Sequence, residues 1–233
     1  PKLGYWRDTQ VKLEGPAVRD LQRVFLDDWE LVTGRRPDSP LLFPDPVPLA
    51  NGERVQVLAG GPDRPYDPIH EVFFTAITLA RRRIWIETPY FVPDPALYKA
   101  LCIAGAAGVD VRVILPAVSD TKFVYYASLS YLEGLLDAGV RVYRYHKGFL
   151  HAKVLIVDEA VASAGSANMD MRSFFSNFEC NALFYDRGAI GRLAEQFEAD
   201  LREATEIRPE RFRSRPRAQK VLEGAARLFA PLL

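Results

Sequence analysis

Apolar residues along this chain recur with two different periods, and segments of the two kinds alternate. Short apolar runs of strand length predict strands, which we place at 53–58, 83–88, 110–115, 140–145, 152–158, 160–164 and 178–185. Apolar residues three and four positions apart predict helices, which we place at 68–81, 95–107, 121–138, 168–175, 187–205 and 219–229. This alternation is typical of α/β proteins, so we expect a mixed, largely parallel sheet flanked by helices on both faces.

The start of the chain shows a pattern that occurs again near its end. Residues 5–13 alternate like a strand, and helically spaced apolar residues follow a Gly-Pro turn. Residues 179–201 have the same order of strand, turn and helix, and aligning the two copies brings Asp8 opposite Glu179. We therefore predict an internal repeat whose first copy is truncated, so that only its tail is present. The alternative is chance similarity between two amphipathic helices.

The repeat and the local composition divide the chain into three parts. Residues 1–32 are the strand–helix tail of the truncated first repeat. Residues 33–52 are rich in Pro, Asp, Gly and Ser and lack periodicity, which indicates a linker. Residues 53–233 are then expected to form the second repeat as an α/β domain.

The charge balance and the hydropathy argue against two classes of protein. The 30 basic and 30 acidic residues give a formal charge of zero, whereas dedicated nucleic-acid binders usually carry a basic excess or a basic face. We therefore expect no nucleic-acid partner. No apolar run approaches the roughly 20 residues that span a bilayer. Cys102 and Cys180 lie in apolar segments and are expected to be buried, reduced thiols.

Residues 151–179 carry the densest set of chemically useful side chains. His151 and Lys153 stand two residues apart at the start of an apolar strand, so both side chains point to the same side. A cation on an apolar strand needs a partner, and a bound phosphate supplies one. The layout therefore predicts a site that holds a phosphate group and attacks it with an imidazole.

A Gly-Ser loop and a carboxylate complete the predicted site. Ser166 and Asn168 precede a short predicted helix, where they would cap the helix and bind phosphate together with its free N–H groups. Glu179 begins the next strand, and its carboxylate would hold His151 in one tautomer. Asp158 ends the strand that follows His151 and Lys153, at a turn. A structural role and a chemical role both stay open for it.

The spacing of these residues matches a known signature. Residues 151–168 read H-x-K-x4-D-x6-G-S-x-N, which is the motif of the phospholipase D superfamily, and every spaced position is met. The motif includes Asp158 with His151 and Lys153 in the catalytic set, and Glu179 matches the acidic residue of the family's downstream segment. The flanking sequence resembles the C-terminal half of a bacterial cardiolipin synthase over nearly the whole chain, most clearly at 88–94, 109–116, 148–153 and 226–233.

The resemblance implies a catalytic mechanism. His151 would attack phosphorus and form a covalent phosphohistidine, with Glu179 aligning its ring. Lys153, Asn168 and Ser166 would stabilise the phosphoryl oxygens. A second histidine must protonate the leaving alcohol, and in the family it comes from a second H-x-K motif that this sequence does not contain. The resemblance implies neither a metal ion nor a cofactor.

The resemblance also implies a substrate and partners. We expect a bacterial, membrane-associated phosphatidyltransferase that converts phosphatidylglycerol to cardiolipin and glycerol at a membrane surface. An upstream first-motif half, or a second subunit, would complete its site. Two alternatives stay open. One is a phospholipase D-type phosphodiesterase or a single-motif nuclease that completes its site by homodimerisation, and the other is a non-catalytic fragment that binds headgroups or partners.

Overall fold

Eight strands form one mixed sheet at the centre of the computed structural model, which describes residues 3–45 and 51–232. The neighbouring strands are, in spatial order, β12 (Ala204–Glu206), β6 (Arg141–Tyr145), β5 (Asp110–Pro116), β3 (Arg83–Glu87), β8 (Val154–Val157), β9 (Val161–Gly165), β11 (Glu179–Phe184) and β2 (Val55–Gly60). The strands β6, β5 and β3 run parallel, and the other neighbouring pairs are antiparallel.

Two further pairs of very short strands lie outside this sheet. β1 (Trp6–Arg7) pairs in parallel with β7 (Phe149–Leu150). β4 (Phe91–Val92) pairs in parallel with β10 (Met169–Asp170). Each pair joins segments that are far apart in the sequence, and both pairs lie next to residues of the predicted site.

Helices connect the strands and cover the sheet. Within the described residues they are α1 (Val18–Thr33), α2 (Pro68–Leu79), α3 (Pro95–Ala106), α4 (Lys122–Asp137), α5 (Met171–Phe175), α6 (Arg187–Arg202), α7 (Pro209–Arg213) and α8 (Arg217–Arg227). Two 3₁₀ turns lie at Pro40–Leu42 and Ala230–Leu232.

The sheet has a hydrophobic core on each face. One core contains buried residues of α2, α3 and α4, including Phe73, Leu101 and Leu132. The other lies under α6, where the ring of Phe197 stacks on Trp85 with centroids 4.8 Å apart. The strands between them are apolar on both sides because both of their faces are buried.

The predicted mixed α/β sheet with helices on both faces is confirmed. The proportion of pairings differs from the expectation, since antiparallel pairs outnumber parallel ones. The reason is the tight hairpin of β8 and β9 and the place of β11 between β9 and β2, to both of which it runs antiparallel.

Several predicted boundaries change. Of the predicted strand 5–13, only Trp6–Arg7 pairs with another strand. The predicted helix 187–205 ends at Arg202, and the next residues form the edge strand β12. The predicted linker 33–52 contains the last residue of α1 and one 3₁₀ turn, and its residues 46–50 lie outside the described residues.

Two expectations from composition can be compared with the described residues. Cys102 and Cys180 are both free thiols, and both are half-buried where full burial was expected. Across residues 3–45 and 51–232, none of the helices has the length and apolar character needed to cross a bilayer.

A main-chain ladder attaches the N-terminal segment to the domain. The Phe149 N–H donates to the Tyr5 carbonyl oxygen at 2.7 Å, and the His151 N–H donates to the Arg7 carbonyl oxygen at 2.7 Å. The approach is so close that a Cβ atom added to Gly148 would lie 2.0 Å from the Tyr5 carbonyl oxygen. Only glycine therefore lets the two backbones meet at this point.

A buried ion pair anchors the same segment from its other side. The Arg7 guanidinium places Nε 2.9 Å from Asp200 Oδ1 and Nη2 2.6 Å from Asp200 Oδ2. Both side chains are buried, and Asp200 lies on α6. The ion pair and the ladder together fix the position of Asp8, the residue after Arg7.

The substitution Gly148→Ala is expected to displace the N-terminal segment. The clash is with main-chain atoms that cannot rotate away, so we expect a loss of about 1–3 kcal/mol in the free energy of unfolding and faster amide exchange at Arg7 and Phe149. Denaturant unfolding and hydrogen exchange measure these effects. The control is Gly191→Ala on α6, where an added Cβ has open space and stability should rise slightly. Unchanged exchange at Arg7 in Gly148→Ala would contradict the tight approach.

Candidate active site

The predicted catalytic residues lie at one edge of the central sheet. β3 and β8 are antiparallel, with Glu87 at the end of β3 opposite Val154 at the start of β8. His151 and Lys153 directly precede β8, so they stand at the edge where the parallel strands β3 and β5 end. This edge is the usual place for ligand sites in α/β sheets.

His151 is held from both its backbone and its ring. Its backbone N–H donates to the Arg7 carbonyl oxygen, and its ring Nδ1 lies 2.9 Å from Asp8 Oδ2. The ring also packs near Trp6 and Phe149, with centroids 5.0 and 5.8 Å away. With the proton on Nδ1, the ring donates to Asp8 and Nε2 keeps its lone pair; this tautomer is assigned from the partners.

The acidic partner of His151 differs from the one expected. The sequence predicted Glu179, but the structure places Asp8 there. Glu179 begins β11, which is separated from β8 by β9, and its Oε1 accepts a hydrogen bond from Asn177 Nδ2 at 3.2 Å. The parallel pairing of β1 with β7 instead places Asp8, the residue after β1, beside the imidazole.

Lys153 lies directly against the imidazole, as its spacing from His151 predicted. Its Nζ is 3.1 Å from Nδ1 and 3.2 Å from Nε2 of His151, and it donates to the His151 carbonyl oxygen at 2.5 Å. Burial lowers the pKa of Lys153, while the carboxylates of Asp8, Glu179 and Asp170 act in the opposite direction. These three carboxylates therefore lie within electrostatic reach of the ammonium group.

Asn168 and Ser166 lie on the loop after β9, and Ser166 shares a cavity with Glu179. The Asn168 N–H donates to Ser173 Oγ at 3.1 Å, and its buried side-chain Oδ1 has no hydrogen-bond partner in the described residues. A buried polar atom without a partner is unusual, and because Oδ1 is an acceptor, only a group with an N–H or O–H donor would satisfy it. Ser166 is exposed, and its Oγ accepts from the Cys180 N–H at 2.9 Å.

The helix cap is a residue that sequence analysis missed. We expected Ser166 or Asn168 to cap the helix, but residues 169–170 form β10, and α5 starts one residue later. Asp170 is the cap, with Oδ1 accepting from the Ser173 N–H at 2.7 Å. Burial raises the pKa of Asp170. The D-x-x-S spacing was the available signal, since a cap side chain bonds the amide three residues on.

Asp158 lies at the opposite end of β8 from the site. Its carboxylate accepts three hydrogen bonds, from the backbone N–H groups of Arg81, Arg82 and Arg83, at 2.8–2.9 Å. These bonds lower the pKa of Asp158 although burial acts against them. Its φ of 53° is left-handed, a conformation that aspartate tolerates better than most residues. Of the two roles that the sequence left open, this geometry supports the structural one.

A buried carboxyl group lies beneath the site. Glu87 shares a small cavity with Lys153 and Met169, and its Oε1 has no hydrogen-bond partner in the described residues. Burial, followed by the nearby Asp200 carboxylate, raises the pKa of Glu87 to about 8, although Arg7 acts in the opposite direction. The raised pKa favours the neutral form of Glu87 beside the ion pair of Arg7 and Asp200.

The site has the parts needed for nucleophilic attack on a phosphate. An oriented imidazole supplies the nucleophile, and Lys153 supplies a positive charge beside it. In the part of the chain that the structure describes, no group of three or more His, Cys, Asp or Glu is arranged to hold a metal ion.

Comparison with known proteins agrees with the motif. Residues 73–201 match the family described as cardiolipin synthase, PLD-like domain. The chain is 48% identical to cardiolipin synthase 2 of Bacillus anthracis, covering 99% of this chain and 45% of that protein. It is 47% identical to cardiolipin synthase of Geobacillus kaustophilus, covering 99% and 46%. The chain thus spans less than half the length of these relatives, and the expected resemblance is confirmed.

Solved structures share the fold. The phospholipase D family member Nuc of Salmonella typhimurium aligns with a TM-score of 0.55 at 22% identity, covering 66% of this chain and 99% of that one. Phosphatidylserine synthase of Haemophilus influenzae aligns with a TM-score of 0.63 at 17% identity, covering 80% and 49%. At these identities the likeness concerns the fold alone.

The substitution Asp158→Ala tests the structural role of this carboxylate. It leaves three N–H groups without their acceptor, so we expect a loss of about 2–3 kcal/mol in the free energy of unfolding at pH 7. The folded-state pKa is lowered, so this contribution is present above the unfolded pKa of about 3.9 and is lost as pH falls through the folded value. Urea unfolding at several pH values should show the two proteins converging in acid.

The matched control for Asp158→Ala is Glu159→Ala. Glu159 is the adjacent acid and makes an exposed ion pair with Arg82, so its removal should cost less than about 1 kcal/mol. Equal stability of the two variants would show that the three hydrogen bonds do not have the structural weight assigned to them.

Proposed function

This chain belongs to the family of cardiolipin synthase PLD-like domains, and from that premise we propose that it is one half of a phosphatidyltransferase. Its substrate would be phosphatidylglycerol, and its products cardiolipin and glycerol. The observation that carries the proposal is the arrangement of His151, with Asp8 on Nδ1 and Lys153 Nζ against the ring, 3.1 Å from Nδ1 and 3.2 Å from Nε2. This arrangement leaves one ring nitrogen as a nucleophile next to a cation that attracts phosphate.

The first step forms a covalent intermediate. Nε2 of His151 attacks phosphorus, an N–P bond forms, and the P–O bond to the departing glycerol breaks. The imidazole becomes positively charged, and the Asp8 carboxylate stabilises that charge through Nδ1–H. Lys153 and the Asn168 side chain stabilise the phosphoryl oxygens as charge builds on them.

The second step transfers the phosphatidyl group. The hydroxyl of a second phosphatidylglycerol attacks phosphorus, a new P–O bond forms, and the N–P bond breaks. An acid–base group must give a proton to the first glycerol as it leaves and remove one from the incoming hydroxyl. Water in place of the second lipid would give hydrolysis to phosphatidic acid.

We assign that proton transfer to a histidine of a first-motif half outside this chain. Asp8 and Glu179 occupy matching positions in the sequence repeat, and Asp8 holds His151. By the symmetry of the repeat, Glu179 would hold the histidine of the first motif. Exposed apolar side chains on α1, among them Val18, Leu21 and Phe25, are a surface that the first half would cover.

The lipid substrate places the reaction at a membrane surface. Both phosphatidylglycerol molecules and the cardiolipin product remain in a bilayer while only glycerol is released to water. We therefore propose that the protein acts while associated with the bacterial membrane. A homodimeric single-motif nuclease would need no lipid, and the experiment below separates the two.

The substitution His151→Ala should abolish the reaction. The chain is incubated with vesicles containing labelled phosphatidylglycerol, both alone and mixed with a polypeptide that carries the first half of a matched relative. We expect cardiolipin and glycerol from the mixture, an acid-labile phosphatidyl label on the protein, and a loss of at least about 10³-fold in His151→Ala. The control is His146→Ala, an exposed loop histidine, which should retain activity.

Two outcomes would contradict the proposed function. Unchanged cardiolipin formation in His151→Ala would rule out the nucleophile. Cleavage of plasmid DNA by the chain alone, with no cardiolipin formed by the mixture, would support the homodimeric nuclease instead.

The substitution Asp8→Asn tests the partner that the structure assigns to His151. Asparagine keeps the size of the side chain but favours the wrong tautomer of the ring, so we expect cardiolipin formation to fall on the order of 10²–10⁴-fold. The midpoint of thermal unfolding should be unchanged because Asp8 is exposed to solvent. The control is Glu14→Gln, an exposed acid of the same segment paired with Lys12. Full activity in Asp8→Asn would show that the carboxylate does not align the ring.

A further inference from the structure

An apolar rim of exposed side chains lies on the surface beside the active site. Its members are large, and between 37% and 81% of each residue is exposed to solvent. The rim consists of Phe74, Phe123, Phe175, Leu228, Phe229 and Leu232. Exposed apolar patches on soluble domains usually mark a surface that binds something.

Contacts between the elements show that the rim is continuous. The rings of Phe123 and Phe229 meet edge to face, with centroids 5.5 Å apart. The turn Ala230–Leu232 packs against α5, which carries Phe175. The ring of Phe175 lies 5.1 Å from that of His70, and His70 stacks on Phe74 at 6.5 Å.

The rim lies at the same edge of the sheet as the catalytic residues. α5 directly follows Asp170 and the loop of Ser166 and Asn168. Phe123 lies in the first turn of α4, which follows β5, and β5 ends at the edge where β8 starts. A surface that docks on the rim therefore lies at the same edge of the domain as the active site.

Positive charges flank the rim. Lys122, Arg172 and Arg227 are exposed, and each lies next to a rim residue in the sequence or on the same short helix. Arg227 also stacks over the Tyr131 ring at 4.3 Å, and Arg172 donates to Asn177. None of the three forms an ion pair within residues 3–45 and 51–232.

Three acids near the rim are bound to other groups, whereas Glu71, three residues before Phe74 on α2, is exposed. Asp120 accepts a hydrogen bond from the Tyr90 hydroxyl at 2.5 Å. Glu223 is buried and paired with Arg215, and Glu133 is paired with the same arginine. The surface around the rim thus combines exposed apolar groups with cations that lack acidic partners in the described residues.

We propose that the apolar rim is the surface by which this domain docks on an anionic phospholipid bilayer. Aromatic and leucine side chains enter the boundary between headgroups and acyl chains, and lysine and arginine attract the anionic headgroups. The proposal rests on the proposed function, which places the substrate in such a bilayer. A protein covering the rim would stand between the active site and its lipid, whereas a bilayer brings the lipid to it.

Vesicle flotation tests the rim directly, and it requires no catalytic turnover. The chain is mixed with vesicles of phosphatidylglycerol and phosphatidylcholine, and bound protein is measured after flotation. The double variant Leu228→Ser/Phe229→Ser should bind at least tenfold more weakly than the unmodified chain. The matched control is Val32→Ser/Leu41→Ser, which removes two apolar side chains of residues that are 83% and 89% exposed and lie outside the rim. It should bind like the unmodified chain.

The charge component has its own variant. Lys122→Gln/Arg172→Gln should weaken binding to vesicles with phosphatidylglycerol, and the difference from the unmodified chain should shrink at high salt because salt screens the attraction. Vesicles of phosphatidylcholine alone should not distinguish the two proteins. Thermal unfolding of all variants confirms that they fold, since the substituted residues are exposed.

The outcomes separate the rim from the proposed function. Three results would overturn the bilayer proposal. The rim variant could bind vesicles as well as the unmodified chain, or the control variant could lose as much binding as the rim variant. Rim substitution could also change the oligomeric state in lipid-free solution. The last result would indicate a protein partner. Rim-dependent vesicle binding by a chain that makes no cardiolipin even when mixed with the first half of a matched relative would overturn the proposed function but not the rim proposal. In the same mixture, a rim variant that still converts soluble short-chain phosphatidylglycerol supports a docking role.

Discussion

The buried pairing of Arg7 with Asp200 is the constraint on which the active site depends. Taking two charges out of water is costly, and the cost is offset only where the charges meet closely, as these do at 2.6 Å. Moving the N-terminal segment along the domain would separate the two charges and leave each of them buried without a partner. The ion pair therefore fixes the position of this segment. Asp8 is the next residue, and it is thereby held against His151, which lies 143 positions further on.

The neutral form of Glu87 lowers the electrostatic cost of burying this ion pair. A second ionised carboxylate beside Asp200 would repel it and would itself be deeply buried. Burial raises the pKa of Glu87, which favours its neutral form and so reduces the repulsion with the Asp200 carboxylate. The charges beside the imidazole are then those of Lys153 and the carboxylates that act on it.

The local pattern of the chain predicted much of the site. His151, Lys153 and the apolar strand that follows them were predicted from a spacing of two and a run of buried residues, because strand geometry fixes both. The acidic partner of His151 could not be predicted in the same way. Aligning the repeat placed Asp8 opposite Glu179, but which acid meets which imidazole depends on a two-residue pairing of β1 with β7 that has no sequence period of its own.

Elements of two or three residues were missed for the same reason. β10 and β12 are too short to show alternation, and they form because tertiary contacts place an edge beside them. The turn at Asp158 was recognised as a turn, but its three bonds run to Arg81–Arg83, far away in the sequence. Such long-range bonds to main-chain amides leave no trace in side-chain composition.

The packing of Trp6 near His151 places a fluorescent side chain beside the proposed nucleophile. Of the three tryptophans, Trp85 is buried against Phe197 and Trp29 lies on the exposed face of α1, whereas the Trp6 indole centroid lies 5.0 Å from the imidazole. A charged or phosphorylated imidazole perturbs the excited state of an adjacent indole. The emission of Trp6 is thus coupled to the chemical state of the nucleophile without any added dye.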